Sequence, residues 1–152
     1  MSRAWLEREF PFLTHRNFDI TSPKDGNYNC IAFAAGESDR NWWPTDLGGY
    51  YWPPGVPMEP TVEVFKVAFE QLGYQETTDL THVPGVEKVA LFVKHGKPTH
   101  MARQLDDGRW TSKLGTEVDI SHREASDVGG EAGRGYGEIE LIMKRRRMSD
   151  SS

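Results

Sequence analysis

The chain has one cysteine, Cys30, and five histidines, the residue types that act as nucleophile and base in covalent catalysis. Cys30 stands between a turn-forming run and the apolar run 31–35, a pattern that predicts a short helix ending at Gly36. The positive end of a helix dipole favours a thiolate, so we expect a lowered pKa for Cys30. The alternative is a buried structural thiol.

His100 is the best candidate for the base that such a nucleophile needs. It follows Pro98 and Thr99 at the start of a predicted strand, where a side chain is held rigidly near a cleft. His122, three residues after Asp119, is the second candidate. His100 could equally be a structural histidine bonded to a backbone carbonyl.

The residue that orients the imidazole has two candidates, Ser112 and Asp119. The segment around the turn DDG predicts a β-hairpin, and if Leu105 pairs with Arg109, Ser112 lies on the same sheet face as His100. Asp119 follows the hairpin and is chemically the better orienting group. Either residue could complete a triad.

Two features flank the cysteine. Asn29, with the backbone N–H of Cys30, is the candidate oxyanion donor, although Asn29 could act only as a helix N-cap. Residues 37–60 form a predicted loop with five prolines and three tryptophans, and loops of this length are usually functional or disordered. Four of its side chains are candidates for a substrate groove, with loop packing as the alternative: Trp42, Trp43, Tyr51 and Trp52.

The remaining pattern predicts an α+β fold, with helices first and a small antiparallel sheet after them. Helices are predicted at SRAWLEREF and TVEVFKVAFEQLG, and strands at EKVALFVKHG and GEIELIMK. Residues 11–29 are expected to be irregular, and 118–127 to form a short helix or loop. We expect one domain over residues 1–145 and a flexible tail over 146–152.

Composition excludes several classes of function. The net charge of −5 argues against nucleic-acid binding, and no apolar stretch could span a membrane. The N-terminus lacks a signal peptide, which predicts a cytoplasmic protein, although a secreted effector would look the same. The sequence has no CxxC or HExxH spacing and no phosphate-loop pattern, so we expect no metal and no cofactor.

A cysteine on a helix, a histidine on a strand and a polar residue on the next strand resemble the papain-like hydrolases, more narrowly those of the NlpC/P60 type. The segments NYNCIAFA and PTHMARQLDDGRWTSKLG carry this resemblance. Together with WWP and YYWPPG, they are also similar to an uncharacterised bacterial protein family over residues 27–143. The resemblance implies a papain-like α+β fold with N-terminal helices packed on a small antiparallel sheet, Cys30 as nucleophile and His100 as base.

The function implied is a cysteine peptidase or amidase that cleaves an amide bond in a peptide-like or peptidoglycan-like substrate. One alternative is a non-catalytic interaction module that uses the aromatic loop 42–52, and another is a component of a bacterial toxin system. An enzyme requires an imidazole nitrogen within about 4 Å of a partly exposed Cys30 sulfur. A module predicts a buried sulfur surrounded by carbon atoms.

Overall fold

The structure, a computed structural model, describes residues 3–22, 28–37, 40–45, 48–114, 118–130 and 134–147. Its α-helices are α1 (Arg3–Glu9), α2 (Cys30–Ala34) and α3 (Val62–Glu70). Its strands are β1 (Phe18–Ser22), β2 (Gln75–Thr77), β3 (Val86–Lys94), β4 (Lys97–Gln104), β5 (Trp110–Lys113), β6 (Asp119–His122) and β7 (Glu138–Arg146). A 3-10 helix, Ala125–Val128, follows β6.

All seven strands form one sheet in the order β1-β6-β5-β4-β3-β7-β2, and every paired strand is antiparallel to its neighbour. The long strand β3 lies between β4 and β7 and is buried over seven of its nine residues. Its continuous apolar run, 89–93, therefore fits a strand covered on both faces.

The two faces of this sheet bury two separate apolar clusters, because successive side chains on a strand point to opposite sides. The α2–α3 face carries Leu91 and Met101, which pack with the residues of α2, α3 and the aromatic loop. The α1 face carries Phe92 and Ala102, which pack against α1 and the segment that follows it. Each candidate site residue therefore belongs to one face or the other.

The predicted fold class is wrong. A papain-like, NlpC/P60-like α+β fold requires N-terminal helices packed on a small sheet, whereas the described residues form a seven-stranded sheet with α-helices of only 7, 5 and 9 residues. The sheet also begins before α2, because β1 pairs with β6, with Phe18 opposite His122. Neither short segment is strongly patterned, and the pairing joins parts of the chain too distant to be read locally.

Several local predictions are confirmed. Helix α3 begins after the N-cap Thr61, whose side chain accepts a hydrogen bond from the backbone of Val64. Helix α2 is short and is followed by Gly36 at φ 91°. The DDG hairpin joins β4 to β5, with the backbone N–H of Leu105 donating to Arg109 O at 2.7 Å. These features depend on neighbours in sequence, which explains why local patterns find them.

The C-terminal boundary lies further along than predicted. Strand β7 continues through Arg146, and the backbone N–H of Arg147 donates to Gly85 O at 2.8 Å. The rest of the predicted tail, 148–152, lies outside the described residues. No helix among the described residues is both long and apolar enough to cross a bilayer.

Candidate functional site

A buried chain of polar side chains crosses the α1 face of strands β4, β5 and β6. His100 Nε2 lies 2.9 Å from Ser112 Oγ, and Ser112 Oγ lies 2.8 Å from His122 Nε2. His122 Nδ1 is 2.8 Å from the carbonyl oxygen of Glu124. His100, Ser112 and His122 are all fully buried. The hairpin register that placed Ser112 on the face of His100 is therefore present.

The end of this chain fixes the proton positions along it. A carbonyl oxygen only accepts, so His122 Nδ1 must carry a proton, and its Nε2 is then the acceptor in the neutral ring. Ser112 therefore donates its hydroxyl proton to His122 and accepts from Nε2–H of His100. In neutral His100 this leaves Nδ1 as a bare lone pair.

The Nδ1 atom of His100 is buried and has no hydrogen-bond partner within the described ranges. Burial holds the pKa of His100 well below its usual value of 6.5, and the nearby charge of His122 would lower it further. Burial also lowers the pKa of His122 to about 4, although the Glu124 carbonyl acts in the opposite direction. Both rings are therefore neutral at pH 7, as the proton positions require.

Tyr136 covers His100. The two rings stack with centroids 4.0 Å apart and planes 3° from parallel. Thr99 donates its hydroxyl to Tyr136 O at 2.6 Å, so strand β4 holds the tyrosine in place through the residue before His100. The pKa of the Tyr136 phenol is raised by burial first and then by the charge that a Cys30 thiolate would carry.

Cys30 begins α2 and lies in the cluster on the α2–α3 face, 8% exposed. Burial raises the pKa of its thiol to about 11, while the backbone N–H groups of Met101, Ile31 and Cys30 partly oppose the rise. The predicted lowering of this pKa is therefore wrong: α2 has only five residues, and desolvation outweighs its dipole.

Cys30 and His100 approach the sheet from different sides. Met101 contacts the cysteine cluster, and alternation along β4 places the adjacent His100 on the α1 face. No hydrogen bond joins the sulfur to His100, whose Nδ1 is unpaired in the described part of the chain. The β4–β5 ladder ends at the pair Arg103↔Thr111, so His100 and Ser112 meet through their side chains beyond the last backbone pair.

Asn29 acts as the N-cap of α2. Its Oδ1 accepts from the backbone N–H of Ala32 at 3.0 Å and from that of Trp42 at 3.1 Å, and its Nδ2 donates to Trp42 O at 2.7 Å. These contacts fasten the aromatic loop to the cysteine helix. Its candidate oxyanion role stays a prediction.

Asp119 lies on the side of the sheet opposite to the histidines. Its Oδ2 accepts a hydrogen bond from the Tyr28 hydroxyl at 2.7 Å, and its Oδ1 lies 3.9 Å from Lys113 Nζ. Lys113 is fully buried, with its ammonium 4.8 Å from the centre of the Tyr28 ring. The structure thus brings His100 to Ser112 and His122 rather than to Asp119.

The aromatic loop is mostly core. Trp42 and Trp52 are 2% and 6% exposed and pack on rings of α3, Trp42 on Phe69 and Trp52 on Phe65. Two of the groove candidates are less covered: Trp43 contacts Phe65, and Tyr51 lies under the Arg40 guanidinium. The loop packing expected as the alternative therefore accounts for both buried tryptophans.

A family model matches residues 19–144, which include every residue of the polar chain and the cysteine. The chain belongs to the DUF7689 family. Its description is a domain of unknown function. Comparisons with curated proteins and with solved structures gave no match.

Sequence reasoning gave no role to two groups of this DUF7689 domain that lie close to the predicted residues. Tyr136 falls in a glycine-rich segment that carries no strand or helix pattern, and Lys113 lies in a hairpin at a position to which the sequence assigned no role. The alternation of side chains along β5 was the available signal for Lys113. Ser112 and Lys113 are consecutive, so they point to opposite faces of the sheet, and Lys113 points to the face that carries the cysteine helix. Nothing local predicts the stacking of Tyr136 on His100. Among the described residues, no group of three or more His, Cys, Asp or Glu could hold a metal ion.

Proposed function

We propose that this chain is a cysteine hydrolase that cleaves an amide or related acyl bond, with Cys30 as nucleophile and His100 as base. The observation that carries this function is the unpaired Nδ1 of His100. Ser112 and His122 fix the tautomer in which this atom is an acceptor, and burial keeps it unprotonated at neutral pH. A general base needs an oriented lone pair of this kind.

An unpaired buried acceptor also costs stability, of the order of 1–3 kcal/mol. Such groups are rare in folded proteins and call for an explanation, and a catalytic role is one of the known ones. A structural histidine would use both ring nitrogens, as His122 does with Ser112 and the Glu124 carbonyl. His100 uses one.

The Cys30 sulfur is buried, lies on the face of the sheet opposite to His100 and makes no hydrogen bond to it among the described residues, so the proposed reaction requires a movement that brings the two side chains together. The backbone N–H of Met101, the residue after His100, acts on the Cys30 thiol, and Tyr136 stacks on the His100 ring. Cys–His pairs occur on unrelated folds, so the corrected fold class does not remove this function.

In the proposed reaction Nδ1 of His100 takes the proton from Cys30 Sγ as the sulfur bonds to the substrate carbonyl carbon. The imidazolium then gives that proton to the leaving amine as the C–N bond breaks, and a thioester remains on Cys30. Water, deprotonated by Nδ1, hydrolyses the thioester, which releases the acid and restores the thiol. Peptide-like and peptidoglycan-like amides stay the predicted substrates.

A non-catalytic interaction module is the second candidate. It is favoured by the burial of Cys30 and by the rise of its pKa to about 11, which leaves the isolated thiol unreactive at neutral pH. The two functions differ in one respect that can be measured. Only the hydrolase requires His100 to take the thiol proton.

The test is the rate of Cys30 alkylation by iodoacetamide between pH 5 and 10. For the hydrolase we expect a wild-type rate that hardly changes with pH around neutrality, because burial keeps His100 neutral, and so able to accept the thiol proton, well below pH 6.5. His100→Gln should lower the rate at pH 7 at least tenfold, and the remaining rate should climb about tenfold per pH unit towards the thiol pKa.

His82→Gln, at an exposed histidine, is the matched control and should behave as wild type. Cys30→Ser identifies the labelled residue, since the chain has no other cysteine. A wild-type rate that itself climbs across the whole range, with no change in His100→Gln, would exclude the hydrolase and leave the interaction module.

A further inference from the structure

The basic run 144–147 divides into two pairs with different surroundings, because it ends strand β7 and its side chains alternate between faces. Arg145 and Arg147 turn towards the buried carboxylate of Glu87, at 2.7 Å and 3.4 Å. Burial acts to raise the pKa of Glu87, but the hydrogen bonds from Arg145 and Tyr74 and the charge of Arg145 lower it below its usual value. Lys144 and Arg146 point to the other side.

Lys144 and Arg146 have no ion pair and no side-chain hydrogen bond within the described ranges. Lys144 stands directly opposite Lys88 on β3, and like charges in that position repel. Lys88 is compensated by Asp79, whose carboxylate oxygen is 3.4 Å away and whose carbonyl is 2.7 Å away. Lys144 has no such compensation, although it is half-buried.

These two cations border a cleft of ≈ 410 Å³ at the end of β3 and β7. Its lining consists of Gln75, Pro84, Gly85, Val86, Lys144, Arg145 and Arg146, with no carboxylate among them. Gln75 pairs with Lys144 across the β2–β7 ladder, which places a neutral amide beside the ammonium. The volume is within the range of sites for small molecules.

We propose that this cleft binds the phosphate group of a small phosphorylated molecule. A guanidinium presents a planar pair of donors to two oxygens of a phosphate, and an ammonium adds a point charge. Two uncompensated cations match a dianion better than a single carboxylate. The whole chain carries a net charge of −5, so its long-range electrostatic field repels anions. Attraction of a phosphate must therefore come from the nearby charges of Lys144 and Arg146.

The cleft is a site separate from the cysteine. The Cys30 cluster packs under α2 and α3, and the polar histidine chain crosses β4 to β6, whereas the cleft lies at β2, β3 and β7. Binding at the cleft is therefore measurable whether or not Cys30 is reactive.

The test is an NMR titration of ¹⁵N-labelled protein with phenyl phosphate, with sodium chloride at matched ionic strength as the reference. We expect saturable shifts of the backbone amides of Gln75, Gly85 and Val86 with phenyl phosphate alone. The variant Lys144→Gln/Arg146→Gln should weaken binding at least tenfold, and Lys144→Arg should retain it because the charge is kept.

The charge-matched control is Lys97→Gln/Arg8→Gln. It removes two exposed cations that do not line the cleft, one at the start of β4 and one in α1. It should bind as wild type does. Shifts that chloride reproduces, or an equal loss in the control and the cleft variant, would overturn the assignment. Loss of binding in Lys144→Arg would also contradict it, because binding would then not follow the charge.

Discussion

At the scale of single residues, the chemistry depends on one backbone carbonyl. Glu124 O forces His122 into one tautomer, and Ser112 transmits this choice to His100. In the sequence Ser112 was the chemically weaker of the two orienting candidates, beside Asp119. Its value is that it both donates and accepts, so it links two neutral imidazoles where a carboxylate could only accept.

The two buried histidines predict a loss of stability in mild acid. Unfolded histidine takes a proton near pH 6.5, whereas folded His122 does so only at about 4, so stability falls as the pH falls between these values. For His122 the total loss is about 3 kcal/mol. Urea unfolding should give a lower free energy of unfolding at pH 5 than at pH 7, and His122→Gln should reduce that difference.

His82→Gln, at an exposed position, should leave the pH dependence as it is in wild type. Equal stability at pH 7 and pH 5 in the wild-type protein would show that the histidines are not buried in their neutral forms.

At the scale of elements, the β4–β5 hairpin and the glycine-rich segment before β7 position the site. The hairpin aligns His100 with Ser112, and the described residues 134–137 carry Tyr136 onto the His100 ring. Gly130 packs so closely on the Arg134 carbonyl that a β-carbon there would overlap its oxygen. The tyrosine is therefore held by backbone packing as well as by Thr99.

Gly130→Ala should disturb this segment. The added methyl group must displace the Arg134 carbonyl, and such overpacking costs about 1–3 kcal/mol of folding free energy. Tyr136 should lose its fixed stacking on His100, which near-ultraviolet circular dichroism of the tyrosines would detect.

Gly48→Ala is the matched control, since a β-carbon there meets no atom within 4 Å. It should change stability by no more than about 0.5 kcal/mol. An equally small effect of Gly130→Ala would mean that the segment does not pack tightly.

At the scale of the whole molecule, one sheet carries two apolar clusters, and β3 contributes to both. Leu91 belongs to the α2–α3 side and Phe92 to the α1 side. If the sheet unfolds, the apolar side chains of both clusters become exposed to water, because the same strands cover both. The two faces should therefore unfold together, and the Cys30 side should not open independently of the histidine side.

Truncation of a large side chain on either face tests this coupling. Phe69→Ala in α3 and Phe92→Ala in β3 each remove a fully buried ring, and each should cost about 3–5 kcal/mol. In both variants tryptophan fluorescence and far-ultraviolet circular dichroism should report a single urea transition with the same midpoint.

Phe12→Ala, at a ring that is 42% exposed, should cost much less than either core variant. Two separate transitions in Phe69→Ala would show that the faces fold independently.

Sequence patterns located what depends on near neighbours. The period of 3.6 residues in α3, the apolar run of β3 and the DDG turn each predicted an element that is present. The same turn gave the register that joins His100 to Ser112, because a two-residue period follows directly from the hairpin. Cys30, His100 and Ser112 could therefore be selected from the sequence.

The tertiary structure decided the rest. β1 is a short strand whose partner, β6, lies about a hundred residues further along the chain, so local patterns did not reveal that the sheet begins before α2. Burial under the sheet raised the pKa of Cys30, which a helix start alone would lower. Strand pairing also determines which side of the sheet each residue faces. It determines the stacking of Tyr136 on His100 and which cations of the basic run 144–147 turn towards Glu87. The sequence by itself determined the residue types and their local spacing, and long-range strand pairing determined which of them meet, because desolvation and contact depend on neighbours in space.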